Sequence, residues 1–200
     1  MGIINTDPEV RLNASFSRIY PPRGNIAFLS QSGAMGLVIL EYARDLNMGI
    51  SGFVSVGNRA DISSNDLLQY WEDDPATKVI LLYLESFGNP WKFSRIAKRV
   101  SARKPIVVVK SGTTLVGSRA ASSHTGALAT PEVVSDALFR QAGIIRVNSI
   151  QELFDVATLL SNQPLPGGKR LFIVTNGGGP GILAADASAQ QGLLLPELAE

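Results

Sequence analysis

The sequence has no cysteine and only one histidine, His124, among its 200 residues. The absence of cysteine excludes disulfides and thiolate chemistry, and it is compatible with a cytoplasmic protein. One histidine without any cysteine cannot supply the usual sets of zinc ligands. We therefore expect no metal site in this chain.

The chain also lacks an excess of charge of one sign and lacks a long apolar run. Its formal net charge is +1, with the lysines and arginines scattered, which offers no electrostatic basis for binding nucleic acid. The longest apolar run, residues 79–84, is too short to cross a bilayer, and the N-terminus does not resemble a signal peptide. With 45% hydrophobic and 18% charged residues, the composition is that of a soluble globular protein. A homo-oligomer remains compatible with it.

Residues 24–163 contain five short apolar segments that alternate with helical patterns. The predicted strands are residues 25–30, 52–57, 78–85, 105–110 and 143–148. The third is apolar almost throughout, as a strand that is buried on both faces must be. Alternating strands and helices predict a parallel sheet with right-handed crossovers and helices on both faces. We expect a flavodoxin-like, doubly wound α/β domain with strand order 2-1-3-4-5.

The two ends of the chain show different patterns. Residues 1–23 have no sustained period and are predicted to form only a leading segment. Residues 163–168 are rich in proline and glycine and indicate a linker. After it, a predicted strand at 170–175 and a glycine-rich turn begin the same pattern again, with a further strand at 192–195. A sheet this small cannot bury itself. We therefore interpret residues 168–200 as the truncated start of a second flavodoxin-like domain.

A long loop, residues 112–130, separates the fourth predicted strand from the helix that begins near residue 131, and it contains His124. Connections in α/β units are usually a handful of residues, and much longer ones are often functional. This loop has little charge and much alanine and glycine, which is not typical of a solvated linker. Our hypothesis is that it carries His124 to its reaction partners. The alternative is a surface loop with an incidental histidine.

Two predicted helix starts follow strands and have the composition of anion sites. Ser32, Gly33 and Ala34 follow the first strand, where free backbone N–H groups and the helix dipole favour an anion. The alternative there is an ordinary N-cap by Ser32. The turn with Gly177, Gly178 and Gly179 has the same arrangement, and its alternative is a tight strand-to-helix connection. It does not complete a dinucleotide-binding fingerprint.

Glu85 closes an otherwise apolar strand, where a charge normally needs a partner. His124 is a suitable partner, because a carboxylate bonded to one imidazole nitrogen leaves the other nitrogen nucleophilic. The alternative is a solvent-exposed strand end. Three further polar residues follow the second strand: Asn58, Asp61 and Asp66. They either line the same edge of the sheet as Glu85 or cap a helix.

Five motifs together resemble the ADP-forming acyl-CoA synthetases, which are relatives of succinyl-CoA synthetase. They are Ser-Gln-Ser-Gly-Ala at 30–34, Leu-Tyr-Leu-Glu at 82–85, Ala-Ala-Ser-Ser-His-Thr-Gly-Ala-Leu-Ala at 120–129, Phe-Arg-Gln-Ala-Gly at 139–143 and Thr-Asn-Gly-Gly-Gly-Pro-Gly at 175–181. The resemblance extends from about residue 24 to the end of the chain. It implies that His124 is phosphorylated during turnover and that Glu85 steadies it. It also implies a phosphate site at two helix starts and the histidine loop, formed by Ser32, Gly33, Ala34, Gly126, Gly177, Gly178 and Gly179.

The resemblance further implies the reaction acyl-CoA + ADP + phosphate ⇌ carboxylate + CoA + ATP. The complete enzyme would bind CoA and ATP or ADP with Mg²⁺, and none of these is expected to bind tightly to this fragment. The fragment alone should be inactive. The small-molecule partners would be an acyl-CoA or acyl phosphate, and phosphate. The protein partners would be a missing CoA-binding domain and a missing ATP-grasp domain or subunit. Residues 1–23 would be the tail of that CoA-binding domain. The alternative is a regulatory module of a protein lysine acetyltransferase fusion. The identity of the acyl group cannot be predicted from the motifs.

Overall fold

The computed structural model describes residues 2–59, 61–114, 116, 117, 119 and 132–197. The predictions for His124 and Gly126 lie outside the described residues. The chain divides into two compact units, Met1–Gln163 and Pro164–Glu200, and each is described by itself.

The described elements alternate between strands and helices through most of the first unit. They are β1 (Gly2–Asn5), β2 (Leu12–Ala14), β3 (Arg23–Ser30), α1 (Gly33–Asp45), β4 (Ile50–Ser55), α2 (Ser64–Asp73), β5 (Val79–Leu84), α3 (Pro90–Ser101), β6 (Ile106–Lys110), α4 (Glu132–Gln141), β7 (Ile145–Val147) and α5 (Ile150–Asn162), followed by α6 (Gly178–Gln190) in the second unit. None of these helices is both long and apolar enough to cross a membrane.

The seven strands form one sheet in the order β2-β1-β4-β3-β5-β6-β7. The five strands from β3 to β7 are parallel, and their order confirms the predicted flavodoxin-like arrangement. One apolar core lies under α2, α3 and α4, and the other lies under α1 and α5. The residues of β5 alternate between the two cores, which is why that strand is apolar at nearly every position.

Residues 2–14 add two antiparallel strands that the sequence did not indicate. β1 pairs with β4, and β2 pairs with β1 at the edge of the sheet. Ile4 is fully buried, and the Thr6 hydroxyl donates to the carbonyl oxygen of Ile50 at 2.6 Å. Strands of four and three residues are too short to produce a recognisable alternation. The assignment of this segment to the tail of a CoA-binding domain stays a prediction.

The predicted strand at 170–175 is wrong as a regular strand. The second unit has only one parallel bridge, between Arg170 and Leu194, with the Leu171 N–H donating to the Leu194 carbonyl at 2.8 Å. The predicted glycine-rich turn does open a helix, α6, but no residue of α6 is buried. An extended segment becomes a stable strand by pairing and by packing one face, and the described residues of this unit supply too few neighbours for either.

Candidate functional site

The first unit has a topological switch point at the carboxyl ends of β3 and β5. β3 lies in the sheet between β4 and β5, so the chain winds outward from it in both directions. Open α/β sheets bind ligands in the crevice outside such a point. Ser32 follows β3 and Glu85 follows β5, so the structure brings these two predicted residues to the same edge.

Ser32 is the N-cap of α1. Its Oγ accepts a hydrogen bond from the Met35 N–H at 3.3 Å, and its own carbonyl oxygen accepts from the Ser30 hydroxyl at 2.6 Å. The capping alternative is therefore observed. A cap satisfies only part of the first turn, because the N–H groups of Gly33 and Ala34 have no acceptor within the helix. The same helix start can thus be capped by Ser32 and still receive an anion.

Gln31 ties the end of β3 to the first residues after β5. Its Oε1 accepts from the N–H groups of Glu85, at 2.6 Å, and Ser86, at 2.9 Å. Its Nε2 donates to the Ser86 carbonyl at 2.8 Å, and the residue is only 6% exposed. Gln31 therefore fixes the backbone at Glu85 and Ser86, and with it the position from which the Glu85 side chain extends. Sequence reasoning quoted Gln31 only as part of a motif and missed this role.

Arg59, in the turn after β4, brings a positive charge to the same segment. Its Nη1 donates to the Ser86 carbonyl and its Nη2 to the Ser86 Oγ, both at 2.7 Å. Burial lowers the pKa of the Arg59 guanidinium, while the nearby negative charge of Glu85 acts in the opposite direction. Arginine stays charged even when its pKa falls. Arg59 was also missed from the sequence.

Lys110, the last residue of β6, is a second missed cation. It is 6% exposed and pairs in register with Leu84, the residue before Glu85. Its Nζ donates to the Ser111 carbonyl at 2.5 Å. Burial lowers the pKa of Lys110, the charge of Arg146 lowers it further, and the charge of Glu85 raises it. The buried ammonium therefore lies within electrostatic reach of the carboxylate.

Glu85 itself is half-buried, so it is not simply a solvent-exposed strand end. A charge at a half-buried position needs partners. Two cations, Arg59 and Lys110, are near enough to interact with it. The predicted contact with His124 lies outside the described residues and stays a prediction.

The remaining candidates of the first unit do not join the site. Asn58 and Asp61 are exposed. Asp66 caps α2: one carboxylate oxygen accepts from both the N–H of Ser63, at 3.0 Å, and its hydroxyl, at 2.6 Å. These bonds lower the pKa of Asp66. The helix-capping alternative holds for Asp66.

The three glycines of the second unit lie at the start of α6. Gly177 is the N-cap residue, and its N–H donates to the Thr175 hydroxyl oxygen at 3.1 Å. A Cβ added at Gly178 or Gly179 would meet nothing within 4 Å. This helix start is therefore open on the surface of its own unit.

Residues 23–160 match the family described as the succinyl-CoA ligase like flavodoxin domain. Over 195 residues the chain is 45% identical to the ADP-forming acetate–CoA ligase of Methanocaldococcus jannaschii, covering 98% of this chain and 27% of that protein. It is 48% identical, over 98% of this chain and 28% of the relative, to ADP-forming acetate–CoA ligase I of Archaeoglobus fulgidus.

The structure superposes with a TM-score of 0.93 on the dinucleotide forming acetyl-coenzyme A synthetase 1 of Ca. Korarchaeum cryptofilum in complex with phosphate and ADP. The two are 44% identical, and the match covers 99% of this chain and 43% of that one. The chain thus spans less than half the length of these relatives. The match to the family confirms the resemblance drawn from the motifs: this chain belongs to the succinyl-CoA ligase-like flavodoxin domains.

Proposed function

We propose that this chain is the phosphohistidine-carrying part of an ADP-forming acyl-CoA synthetase. The reaction is acyl-CoA + ADP + phosphate ⇌ carboxylate + CoA + ATP. The observation that carries the proposal is the switch-point crevice, where a helix start at Ser32 meets a half-buried carboxylate, Glu85, flanked by Arg59 and Lys110. The ligase names of the relatives support the same conclusion.

His124 is the proposed phosphoryl carrier. One imidazole nitrogen attacks the phosphorus of an acyl phosphate, the new N–P bond forms, the P–O bond to the acyl oxygen breaks, and a carboxylate leaves. ADP then takes the phosphoryl group and restores the imidazole. The loop that carries His124 starts after Lys110, at the same sheet edge as Glu85. His124 is 14 residues beyond Lys110, a chain length that spans roughly 46 Å when extended, so it can reach this crevice.

The proposed roles of the other site residues follow from the chemistry of phosphoryl transfer, which is mainly positioning and charge stabilisation. The N–H groups of Gly33 and Ala34 would bind the phosphate oxygens, together with Gly126 of the histidine loop. Glu85 would accept the N–H of the non-reacting imidazole nitrogen and so keep the other nitrogen nucleophilic. The N–H groups at the start of α6, with Gly177, Gly178 and Gly179, would likewise bind phosphate.

The complete enzyme would contain the partners that this chemistry requires. We propose that residues 24–163 are the phosphohistidine-carrying domain, that residues 1–23 are the tail of a CoA-binding domain, and that residues 168–200 begin a second ligase domain. CoA and ADP or ATP with Mg²⁺ would bind to further parts of the protein or to another subunit. Among the described residues, no group of three or more His, Cys, Asp or Glu is placed to hold a metal ion. A cytoplasmic location and a homo-oligomer belong to the same proposal.

The experiment that tests the proposal is ATP formation by the complete enzyme. Acetyl-CoA, butyryl-CoA and feruloyl-CoA are supplied in turn with ADP, phosphate and Mg²⁺, and ATP is measured by a coupled assay. At least one thioester should give ATP, and His124→Ala should give none. Failure with every thioester, or undiminished ATP formation by the variant, would contradict the proposal. The three relatives described above are named as ligases or synthetases, so no observation favours the acetyltransferase alternative.

A further inference from the structure

Arg59 has an unusual backbone conformation in the turn after β4. Its φ is 59°, and a non-glycine residue in this left-handed region is uncommon, because the Cβ then crowds the following carbonyl oxygen. Backbone strain of this kind persists where the surrounding structure over-determines it, and it is frequent at functional sites. The turn therefore holds an arginine at a position where a glycine would be less strained.

The side chain of Arg59 reaches the switch-point crevice between β3 and β5. Its Nη1 donates to the Ser86 carbonyl oxygen, which also accepts from the Nε2 of Gln31. Because both bonds end on the same oxygen, the guanidinium lies beside Gln31, the residue that precedes the N-cap of α1. The bond from Nη2 to the Ser86 Oγ at 2.7 Å fixes the plane of the guanidinium. Arg59 is thus held where the loop after β3 meets the loop after β5.

The guanidinium of Arg59 has more N–H groups than its bonds in the structure use. Among the described residues, the side chain donates to Ser86 alone and forms no ion pair. Burial lowers the pKa of the Arg59 guanidinium, which means that the charge has lost part of its hydration. A partly buried charge is favourable only with partners, so an anion that accepts the remaining N–H groups would be favourable here.

Arg59 is more open to an anion than Lys110, the other cation near Glu85. A Cβ added at Gly88 would lie 3.4 Å from the Arg59 Nη1, so the glycine leaves that side of the guanidinium uncovered. Arg59 is half-buried, whereas Lys110 is 6% exposed and its Nζ donates to the Ser111 carbonyl oxygen. A ligand in the crevice therefore meets the guanidinium first.

We infer that Arg59 is a substrate-binding residue that contacts the transferred phosphoryl group. The inference rests on the proposed function and deepens it, because it adds a side-chain cation to a phosphate site otherwise proposed from backbone N–H groups. The remaining guanidinium N–H groups donate to phosphoryl oxygens, in charge-assisted bonds whose orientation Ser86 sets. The contact serves inorganic phosphate, an acyl phosphate and phosphohistidine alike, since all three present the same oxygens.

The test measures the affinity of the 200-residue chain for inorganic phosphate by NMR titration, with the amide resonances of Gly33 and Ala34 as reporters. Arg59→Met removes the charge and the donors and should weaken phosphate binding roughly 10- to 100-fold. Arg59→Lys keeps the charge without the planar set of donors and should give an intermediate loss. Arg11→Met is the matched control. Arg11 is also an arginine with a positive φ, 43°, but it is exposed between β1 and β2, so phosphate affinity should not change.

A second comparison separates direct contact from a role through Glu85. Glu85→Gln removes a negative charge near Arg59, so it should leave phosphate binding as tight as before or tighter. Arg59→Met should weaken phosphate binding by the same factor with Glu85→Gln present. The affinity should also fall less steeply with added KCl in Arg59→Met, because one charge fewer attracts the anion. A residue that only positions Glu85 would give none of these differences.

Equal phosphate affinity in the unmodified chain and Arg59→Met, or equal losses in Arg59→Met and Arg11→Met, would overturn the inference. Absence of phosphate binding by the unmodified chain would also overturn it. If Arg59→Met fails to give the dispersed spectrum of a folded chain, Arg59→Lys decides, and an unchanged affinity there rejects the contact. A failure of the proposed function is distinguishable, because it is judged by phosphorylation of His124. Labelled His124 with unchanged phosphate affinity in Arg59→Met rejects the role of Arg59 alone. Weakened phosphate binding without labelled His124 rejects the proposed function alone.

Discussion

The two units of the chain contain the same kind of apolar segment with opposite outcomes. In the first unit, β5 has neighbours on both sides, and five of its six residues are fully buried. In the second unit, the segment at 170–175 is as apolar in pattern, yet it forms one bridge, with Phe172 58% and Val174 85% exposed. The difference teaches that pairing and packing, rather than the local pattern, make a strand.

The two units also differ in the polar and charged groups that lie around their helix starts. The helix start of α1 lies beside Gln31, Arg59 and Glu85, which are linked through hydrogen bonds and charge. The helix start of α6 has glycines and one hydroxyl contact, from Thr175. We therefore expect substitutions in the first unit to have the larger effects on stability and activity.

The largest expected effect is that of Glu85→Gln on phosphorylation of His124. Removal of the carboxylate that orients a catalytic imidazole costs about 10⁴-fold in the serine protease triad, and we expect a loss of similar order here. The measurement is the rate of phosphoenzyme formation in the complete enzyme. Asp186→Asn, on the exposed face of α6, is the control and should change nothing. A near-normal rate with Glu85→Gln would show that the site is elsewhere.

Leu82→Ala should produce the next largest effect, this time on the free energy of unfolding. Leu82 is fully buried in β5, and its truncation should cost about 2–5 kcal/mol through lost burial and a cavity. Val174→Ala in the second unit should cost less than about 0.5 kcal/mol, because the side chain is exposed. Urea unfolding followed by circular dichroism measures both. Equal losses in the free energy of unfolding would contradict the expected difference between the two units.

Gln31→Met should destabilise the first unit by about 1–3 kcal/mol, because it leaves the part-buried N–H groups of Glu85 and Ser86 without their acceptor. It should also slow phosphorylation of His124 by displacing Glu85. Gln191→Met, at the exposed end of α6, is the matched control and should change neither quantity. A Gln31→Met protein with normal urea unfolding would refute the role assigned to this amide.

The smallest expected effect is on the loss of stability at acid pH. The guanidinium of Arg99 donates to both carboxylate oxygens of the buried Glu72, which lowers the pKa of Glu72 below its ordinary value near 4.5. A carboxyl group with a lowered folded-state pKa contributes stability that is present above the unfolded pKa and lost as the pH falls through the folded pKa. The urea midpoint should therefore fall between about pH 5 and pH 3. With Glu72→Gln this decline should be shallower, and an unchanged decline would assign it to other groups.

Most of the fold could be predicted because its determinants are local. The apolar composition of the predicted strands indicated their burial directly, and the Ser63–Asp66 capping box that marks the start of α2 is a local feature of the sequence. β1 and β2 were missed because they are too short to show a period. The strand at 170–175 was wrong because its formation depends on neighbours that the pattern does not reveal.

The candidate site was predicted only in part, for a related reason. Ser32 and Glu85 each stand out beside a strand end. Gln31, Arg59 and Lys110 lie far apart in the sequence, and their roles appear only when the strand order brings their loops to one edge. The available indication was that each one lies within a few residues of the carboxyl end of a parallel strand, the edge where such sheets bind ligands.

The central claim is that His124 carries the phosphoryl group, and isotopic labelling tests it most directly. The complete enzyme is incubated with ATP labelled in the γ-phosphate, and the protein-bound label is followed in acid and in base. The account predicts an acid-labile, base-stable adduct that is absent in His124→Ala. An unchanged amount of label in His124→Ala would contradict it.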